Sequence, residues 1–399
     1  MRSSTSAPSD RPRAGAEAAV PLRVALFSGN YNYLREGANQ ALNRAVDYLE
    51  RGGHRVRVYS PVTRTPAFEP AGTLVPVPSM ALPVRSEFRL ALGLRAAARR
   101  DVAAFAPDIV HLSTPDWLGF AAQRFARRLG VPVVASLHTR FEAYLDHYGL
   151  GWARPSVESL LRRYYRRADR ILVPTEGLRG EMAAFVGHDR IDVWSRGVDR
   201  DLFDPARRDP AWRRRQGWSD EDLVVLFFGR LVREKGVDPF VAAVARLQAE
   251  GRPVRPLVVG AGPDRGRFER LAGVGFTGHV EGAELARAVA SADVLLHPSR
   301  TETFGNVMLE AMAAGLAVVA ADAPSARGLV EDGIGGRLVA SDDPAGYAAA
   351  VAALADAPEL RRQFGAAARR ASAAFTWDSA SQAVERSYKA ALGRTRPAV

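Results

Sequence analysis

The sequence predicts an α/β protein made of two doubly wound domains that face each other across a central cleft. Two observations carry this. From Leu22 onward, short apolar runs bounded by Gly, Pro or Asp alternate with helical stretches, the pattern of parallel strands covered on both faces. Near residue 200 the rhythm pauses in RGVDRDLFDPARRDPAWRRRQGWS (196–219), a polar, basic, proline-containing connection, and then restarts.

In the first half, RVALFS (23–28), HRVRVYSP (54–61), DIVHLSTP (108–115), VPVVASLHT (131–139) and RILVPT (170–175) read as strands, and GANQALNRAVDYLERGG (37–53) as a helix closed by glycines. In the second half the strands are LVVLFFG (223–229), RPLVVGAG (255–262), GFTGHV (275–280), DVLLHPS (293–299) and AVVAAD (317–322). Ligands of open α/β sheets bind beyond the carboxyl ends of the strands, so the cleft between the halves is the expected site.

Composition narrows the class without deciding it. The chain has 399 residues, 47% hydrophobic and 25% charged, an ordinary globular mix. It contains no cysteine, which excludes disulfides and thiolate metal sites and fits a reducing cytoplasm. No apolar run approaches the roughly 20 residues needed to span a bilayer. The opening MRSSTSAPSDRPRAGAEAAV is expected to be a disordered tail. The formal net charge of +11 favours polyanions or an anionic lipid surface, or reflects nothing more than a generally arginine-rich composition.

Three stretches carry candidate chemistry. TETFGNVMLEAMAAG follows the strand DVLLHPS, so Glu302 sits in a strand-end loop and Glu310 lies one to two turns into the next helix. A helix N-terminus presents free N–H groups and a positive dipole end, and Gly305 lets a phosphate approach the backbone. Carboxylates accept hydrogen bonds from sugar and ribose hydroxyls. On this stretch alone, a surface helix with a solvated Glu310 is the plainer reading. In LVVLFFGRLVREKGVD, Arg230 and Lys235 share one strand-to-helix loop, where two cations can grip a diphosphate; the neighbouring Glu234 is an alternative partner for either. FSGNYNYLREGANQAL leads through Gly37 into the first helix, a second place for backbone amides to meet a phosphate. His138 ends the strand VPVVASLHT; a lone histidine is more often structural, but this one stands at a strand tip facing the cleft.

PLVVGAGPDRG reads G-x-G-x-x-x-G, off by one from a dinucleotide-binding turn, and is not on the first strand of its domain. The seven histidines are dispersed and no metal-ligand spacing is visible. No P-loop and no Gly-x-Ser-x-Gly occurs.

Taken together, FGRLVREKG, LVVGAGP, FTGHV, ADVLLHPSRTETFGNVMLEAMAAGLAVVA and LVEDGIGGRLV, in this order, resemble the retaining glycosyltransferases of family 4, which have the GT-B fold. The resemblance covers about residues 22–390. SGNYNYLREGANQ, SLHTRFEAYLDHYG and WSRGVDRDLF look like the branch of GDP-mannose-dependent α-mannosyltransferases and sulfoquinovosyl-diacylglycerol-synthase-like enzymes, most of which glycosylate lipids.

The resemblance implies two doubly wound Rossmann-like domains, with the closing FTWDSASQAVERSYKAAL crossing back to the first. The expected division is a tail at 1–20, an acceptor-binding domain at 21–198 completed by helix 376–392, and a donor-binding domain at 199–375. It also implies roles. Glu302 contacts the donor sugar and Glu310 the ribose; Phe304, Gly305, Asn306 and Val307 supply backbone amides near the diphosphate. Arg230 and Lys235 neutralise its charge, and His138 lies near the reacting sugar. Gly37 belongs to the amino-terminal phosphate loop, with Glu36-Gly37-Ala38 in place of a double glycine. Val280 falls where the base is read, and Arg196 of WSRGVDRDLF joins the donor-binding set. The implied reaction is hexosyl transfer with retention, by front-face displacement in which the leaving phosphate takes the acceptor's proton. Neither a metal nor another cofactor is expected.

Under this reading the donor is GDP-mannose and the acceptor a lipid, glycolipid or polysaccharide. The alternatives are a UDP-sugar donor of glucosyl or sulfoquinovosyl type, an epimerase, and a noncatalytic GT-B protein. A nucleic-acid-binding role finds no motif to support it. The enzyme is expected in the cytoplasm, peripheral on the inner face of the membrane. RSEFRLALGLRAAARRDVAAF (85–105) and LLRRYYRRADR (160–170) suit an anionic membrane surface, or are helices packed on the sheet with a solvated arginine face.

Overall fold

Both halves form parallel sheets because nearly every central strand is apolar on both faces. The computed structural model describes residues 20–82, 88–140, 145, 149–219 and 221–393. The expected tail, but for its last residue, lies outside the described residues, as do the start of the 85–105 stretch and most of FEAYLDHY.

The strands in chain order are β1 Arg23–Phe27, β2 Arg55–Ser60, β3 Thr73–Pro76, β4 Ser79–Ala81, β5 Arg89–Ala91, β6 Ile109–Leu112, β7 Val133–Ser136, β8 Arg170–Val173, β9 Ile191–Val193, β10 Leu223–Phe228, β11 Val254–Val259, β12 Gly275–Gly278, β13 Val294–His297, β14 Ala317–Ala321 and β15 Gly336–Val339. The first sheet has seven strands in the order β3-β2-β1-β6-β7-β8-β9, and the second six in the order β12-β11-β10-β13-β14-β15. All neighbours in both are parallel; β4 and β5 form a separate antiparallel pair. Each sheet reverses its winding between two adjacent strands, β1 and β6 in the first and β10 and β13 in the second, the place where such sheets open a crevice.

Strand alternation divides each sheet into two cores. In β10, Leu223, Val225 and Phe227 enter one cluster while Val224 and Leu226 enter the other. In β1, Ala25 and Phe27 face one side and Val24 and Leu26 the opposite side. The helix Trp377–Leu392 returns from the second half and buries Ala380, Val384, Tyr388 and Ala391 against that last group. This is the crossing helix, and its return is tight: Val198 N–H donates to the Phe375 carbonyl at 3.1 Å, and a side chain on Gly197 would meet Trp377 N at 2.2 Å.

The strands that the sequence left unread are short and at or near sheet edges. β3 and β15 are only half-buried, so they lack the two-sided apolar signature. The 85–105 stretch also resolves. It is β5 followed by the helix Ala96–Phe105, whose Ala98, Val102 and Phe105 pack into the first domain's core. Here the packed-helix alternative is the one realised.

Candidate active site

Two helices begin on opposite walls of the cleft, and neither has a capping side chain. Helix Gly37–Arg51 follows Glu36 and helix Asn306–Ala313 follows Gly305, and among the described residues neither start has a side-chain cap hydrogen bond. The first N–H groups of any helix lack intrahelical acceptors, so each start has the chemistry to receive an anion. The two starts touch: a methyl on Gly37 would lie 2.2 Å from Asn306 Nδ2. Gly305 itself holds φ at 98°, a left-handed conformation that glycine adopts without strain.

The same cleft is lined by residues 35–38, His138, Thr139 and Arg196 from the first domain, and by 228–230, Lys235 and 301–307 from the second. The structure therefore brings together ten of the twelve expected residues: Gly37, His138, Arg196, Arg230, Lys235, Glu302, Phe304, Gly305, Asn306 and Val307. Val280 and Glu310 stand apart from this lining. Val280 is half-buried against the second domain's core, and Glu310 is half-buried on its helix.

The cations have specific partners. Lys235 Nζ donates to Glu302 Oε1 at 2.6 Å, with both side chains largely withdrawn from solvent. The sequence alternative of a Lys235 pair with Glu234 gives way to this one; Glu234 is buried, and its carbonyl accepts hydrogen bonds from Ser299 and Thr301. Arg230 reaches Glu36 of the opposite domain at 3.9 Å, and Arg35 pairs with Glu281 across the cleft at 3.0 Å. Arg196 is different. Its buried guanidinium bonds the carbonyls of Trp194 and Ser195 and His138 Nδ1, and lies over the Trp194 and Phe304 rings. Among the described residues no carboxylate neutralises it.

The two glutamates sit in opposite environments. Burial works to raise the Glu302 carboxyl, but Lys235, His297 and Arg230 outweigh it and hold it below the usual range. Glu310 has no such cations, and burial pushes its carboxyl up to about 8. Neighbouring carboxylates are thus set to different charge states by their surroundings.

His138 meets the cleft in a way the sequence did not reveal. Both ring nitrogens are occupied, Nδ1 by Arg196 at 3.0 Å and Nε2 by Ser136 Oγ at 2.9 Å. Its carbonyl accepts from Thr303 Oγ1 of the other domain at 2.9 Å. Burial, then Arg196 and His111, hold its pKa well below the usual histidine value, so the ring is neutral. Sequence reasoning missed Thr303, Ser136 and His297. His297 lies beneath the pair, its Nε2 3.7 Å from Glu302 Oε1. None of these carries a spacing signal.

Residues 35–202 match the family described as Glycosyltransferase Family 4, and residues 222–357 match Glycosyl transferases group 1. A GDP-mannose-dependent alpha-mannosyltransferase of Mycolicibacterium smegmatis is 35% identical over 383 residues, 94% of this chain and 98% of that one. The chain belongs to glycosyltransferase family 4. A sulfoquinovosyl transferase of Arabidopsis thaliana is 30% identical, over 93% of this chain and 74% of its own length. Among solved structures, sucrose-phosphate synthase from Thermosynechococcus elongatus superposes with a TM-score of 0.75 at 19% identity, covering 92% of this chain and 98% of that one. Anabaena HepE in complex with UDP and glucose superposes at 0.69 and 20% identity, covering 92% and 98%. The architecture is GT-B, and the protein is a glycosyltransferase.

The environment of Glu310 generates a pH test. Its carboxyl rises from 4.5 to about 8 on folding, so the folded state holds a proton that the unfolded state loses. The associated stability is full below the unfolded value and is lost as pH rises through about 8. Glu310→Gln cannot ionise. Its melting temperature relative to the unmodified protein is expected to climb between pH 6 and pH 9 in ligand-free thermal melts. A difference that stays flat across that range contradicts the assignment.

Proposed function

We propose that this glycosyltransferase moves mannose from GDP-mannose, with retention, to a lipid, glycolipid or polysaccharide acceptor at an anionic membrane surface. The observation that carries the donor half is the meeting of two uncapped helix starts with Arg196, Arg230 and Lys235, a seat for a diphosphate between the domains. The relatives named GDP-mannose-dependent favour this nucleotide and sugar.

In the proposed step, the bond from the anomeric carbon to the β-phosphate oxygen breaks and its electron pair stays on that oxygen. The acceptor hydroxyl attacks the same face, and its proton passes to the departing phosphate. Charge builds on the diphosphate as the bond breaks. Arg196, Arg230, Lys235 and the amides at 304–307 stabilise it in place before it forms, which is the electrostatic part of catalysis. Lys235, paired with Glu302, also holds that carboxylate ionised, ready to accept hydrogen bonds from the sugar's hydroxyls. Glu310, set deeper along the helix, takes the ribose, and Val280 the base. No metal or other cofactor is required in this scheme.

The membrane half is supported by one surface. Helices Trp117–Leu129 and Arg154–Arg166 enclose a groove lined by Phe120, Leu160 and five arginines, Arg124, Arg127, Arg128, Arg163 and Arg167. None of the five has an anionic partner among the described residues. Partial desolvation, and then Arg163, Arg127 and Arg124, lower the Arg167 pKa, the mark of crowded like charge. Trp117, the first residue of one of these helices, and Trp152, in the turn before the other, are exposed at 63% and 82%. Among the described residues no helix is long and apolar enough to cross a membrane, so contact through this face is peripheral.

GDP-mannose is expected to raise the melting temperature in a thermal-shift screen more than UDP-glucose or ADP-glucose does; a shift with UDP-sugars alone overturns the donor. In a transfer assay, Arg230→Ala or Lys235→Ala is expected to lose at least ~2 kcal/mol of transition-state stabilisation. Activity is expected to persist in EDTA. Turnover near normal in either variant removes the site assignment, and a loss restored by a divalent cation removes the metal-free scheme. Vesicles containing phosphatidylglycerol, but not pure phosphatidylcholine, are expected to sediment the protein. Replacing Arg124, Arg127 and Arg163 by Ala weakens that by about 1 kcal/mol each; unchanged sedimentation excludes the groove.

A further inference from the structure

A chain of buried side chains leaves the cleft and ends on the crossing helix. Arg196 Nη2 lies 3.0 Å from His138 Nδ1, and His138 Nε2 lies 2.9 Å from Ser136 Oγ. Ser136 Oγ is 3.0 Å from His111 Nε2, and His111 Nδ1 is 2.6 Å from the Tyr388 hydroxyl. Ser136, His111 and Tyr388 are fully buried, and none lines the cleft. His111 and Tyr388 are 277 residues apart in sequence.

One fixed donor orders the protons. A guanidinium only donates, so His138 Nδ1 accepts from Arg196. The ring is neutral, so its single proton sits on Nε2 and donates to Ser136 Oγ. His111 is neutral as well, its pKa pulled down to about 3 by burial. With the Tyr388 hydroxyl donating to His111 Nδ1, His111 Nε2–H donates to Ser136 Oγ. Ser136 then donates to the Leu112 carbonyl at 3.5 Å. In this arrangement each of these buried protons has an acceptor. The reverse orientation leaves the phenol proton with none among the described residues.

We propose that Ser136, braced by His111 and Tyr388, is a positioning residue for transfer. It fixes His138 as the Nε2–H tautomer with Nδ1 turned to Arg196, which keeps that guanidinium in the cleft wall. Among the described residues the partners of Arg196 are all neutral: two carbonyls, an imidazole nitrogen and aromatic faces. They hold its geometry and leave its charge for an anion in the cleft. A His138 protonated on Nδ1 would set donor against donor and turn Arg196 away. A carboxylate in the place of His138 would hold the guanidinium but cancel its charge. The inference rests on the reading of Arg196 as a diphosphate contact.

The test uses the full chain labelled with ¹⁵N-histidine. Between pH 5.5 and 8.5, His138 and His111 are expected to give the spectra of fixed, neutral Nε2–H tautomers. Ser136→Ala is expected to release the His138 tautomer and to lower kcat by about tenfold, with a smaller change in donor KM, as when a group orienting a site residue is lost. Ser136→Thr keeps the hydroxyl and is expected to restore both. Tyr388→Phe shifts the His111 signals and lowers kcat in the same direction by a smaller factor. A His138 that is charged at pH 6.5 or protonated on Nδ1 in the unmodified protein overturns the proposal. So does Ser136→Ala with kcat within about twofold of the unmodified enzyme. If Ser136→Ala does not fold, the unmodified spectrum and Tyr388→Phe decide. A fixed tautomer pattern with no thermal response to any sugar nucleotide would instead remove the donor reading and leave the buried network standing.

Discussion

Two helix starts come together between the domains, at Gly37 and Asn306, and the rest of the candidate site is arranged around that meeting. Each brings unpaired N–H groups and a positive dipole end to the same gap. Two like ends this close repel unless something anionic lies between or beside them. The surrounding ion pairs follow from that constraint. Glu36 and Glu302 flank the gap and take Arg230 and Lys235, while Arg35 and Glu281 bridge the walls. Thr303 adds a neutral hydrogen bond to the His138 carbonyl. These contacts ring the cleft, and the crossing helix Trp377–Leu392 ties the two domains together as well.

The ionisable groups within this ring are tuned apart. Glu302 is kept ionised by adjacent cations, whereas Glu310, on the same helix approach but away from them, is kept protonated near neutral pH. A protonated carboxyl can both donate to and accept from a diol, and an ionised one only accepts. His138 is neutral with both nitrogens engaged, so its ring acts on the site through Arg196 while its carbonyl meets Thr303 across the cleft. Among the described residues, that cation is the one in the cleft lining held wholly by neutral groups.

The excess of arginine also acquires a distribution. Many arginines are spent on local carboxylates, as in Arg213 with Asp293 or Arg369 with Asp204. The five in the groove between helices Trp117–Leu129 and Arg154–Arg166 are not. Part of the +11 charge is thus concentrated on one face, where five arginines have no anionic partner among the described residues.

The sequence by itself determined the two-domain α/β architecture, because strands buried on both faces must be apolar at every position, and runs such as VALF and VVLFF have no other use. It also placed Arg230, Lys235, Glu302 and Gly305 in loops that follow strand ends, and the structure brings those loops to one cleft. Short edge strands such as β3 and β15 escaped it, being half-exposed and mixed in composition. Partners were beyond its reach. Nothing local tells that Lys235 turns to Glu302 rather than to Glu234 beside it, or that Tyr388 supports His111. Those choices depend on the crossing helix and on the closure of two domains, which bring together residues hundreds of positions apart. Spacing along the chain carries no record of such contacts; packing alone decides them.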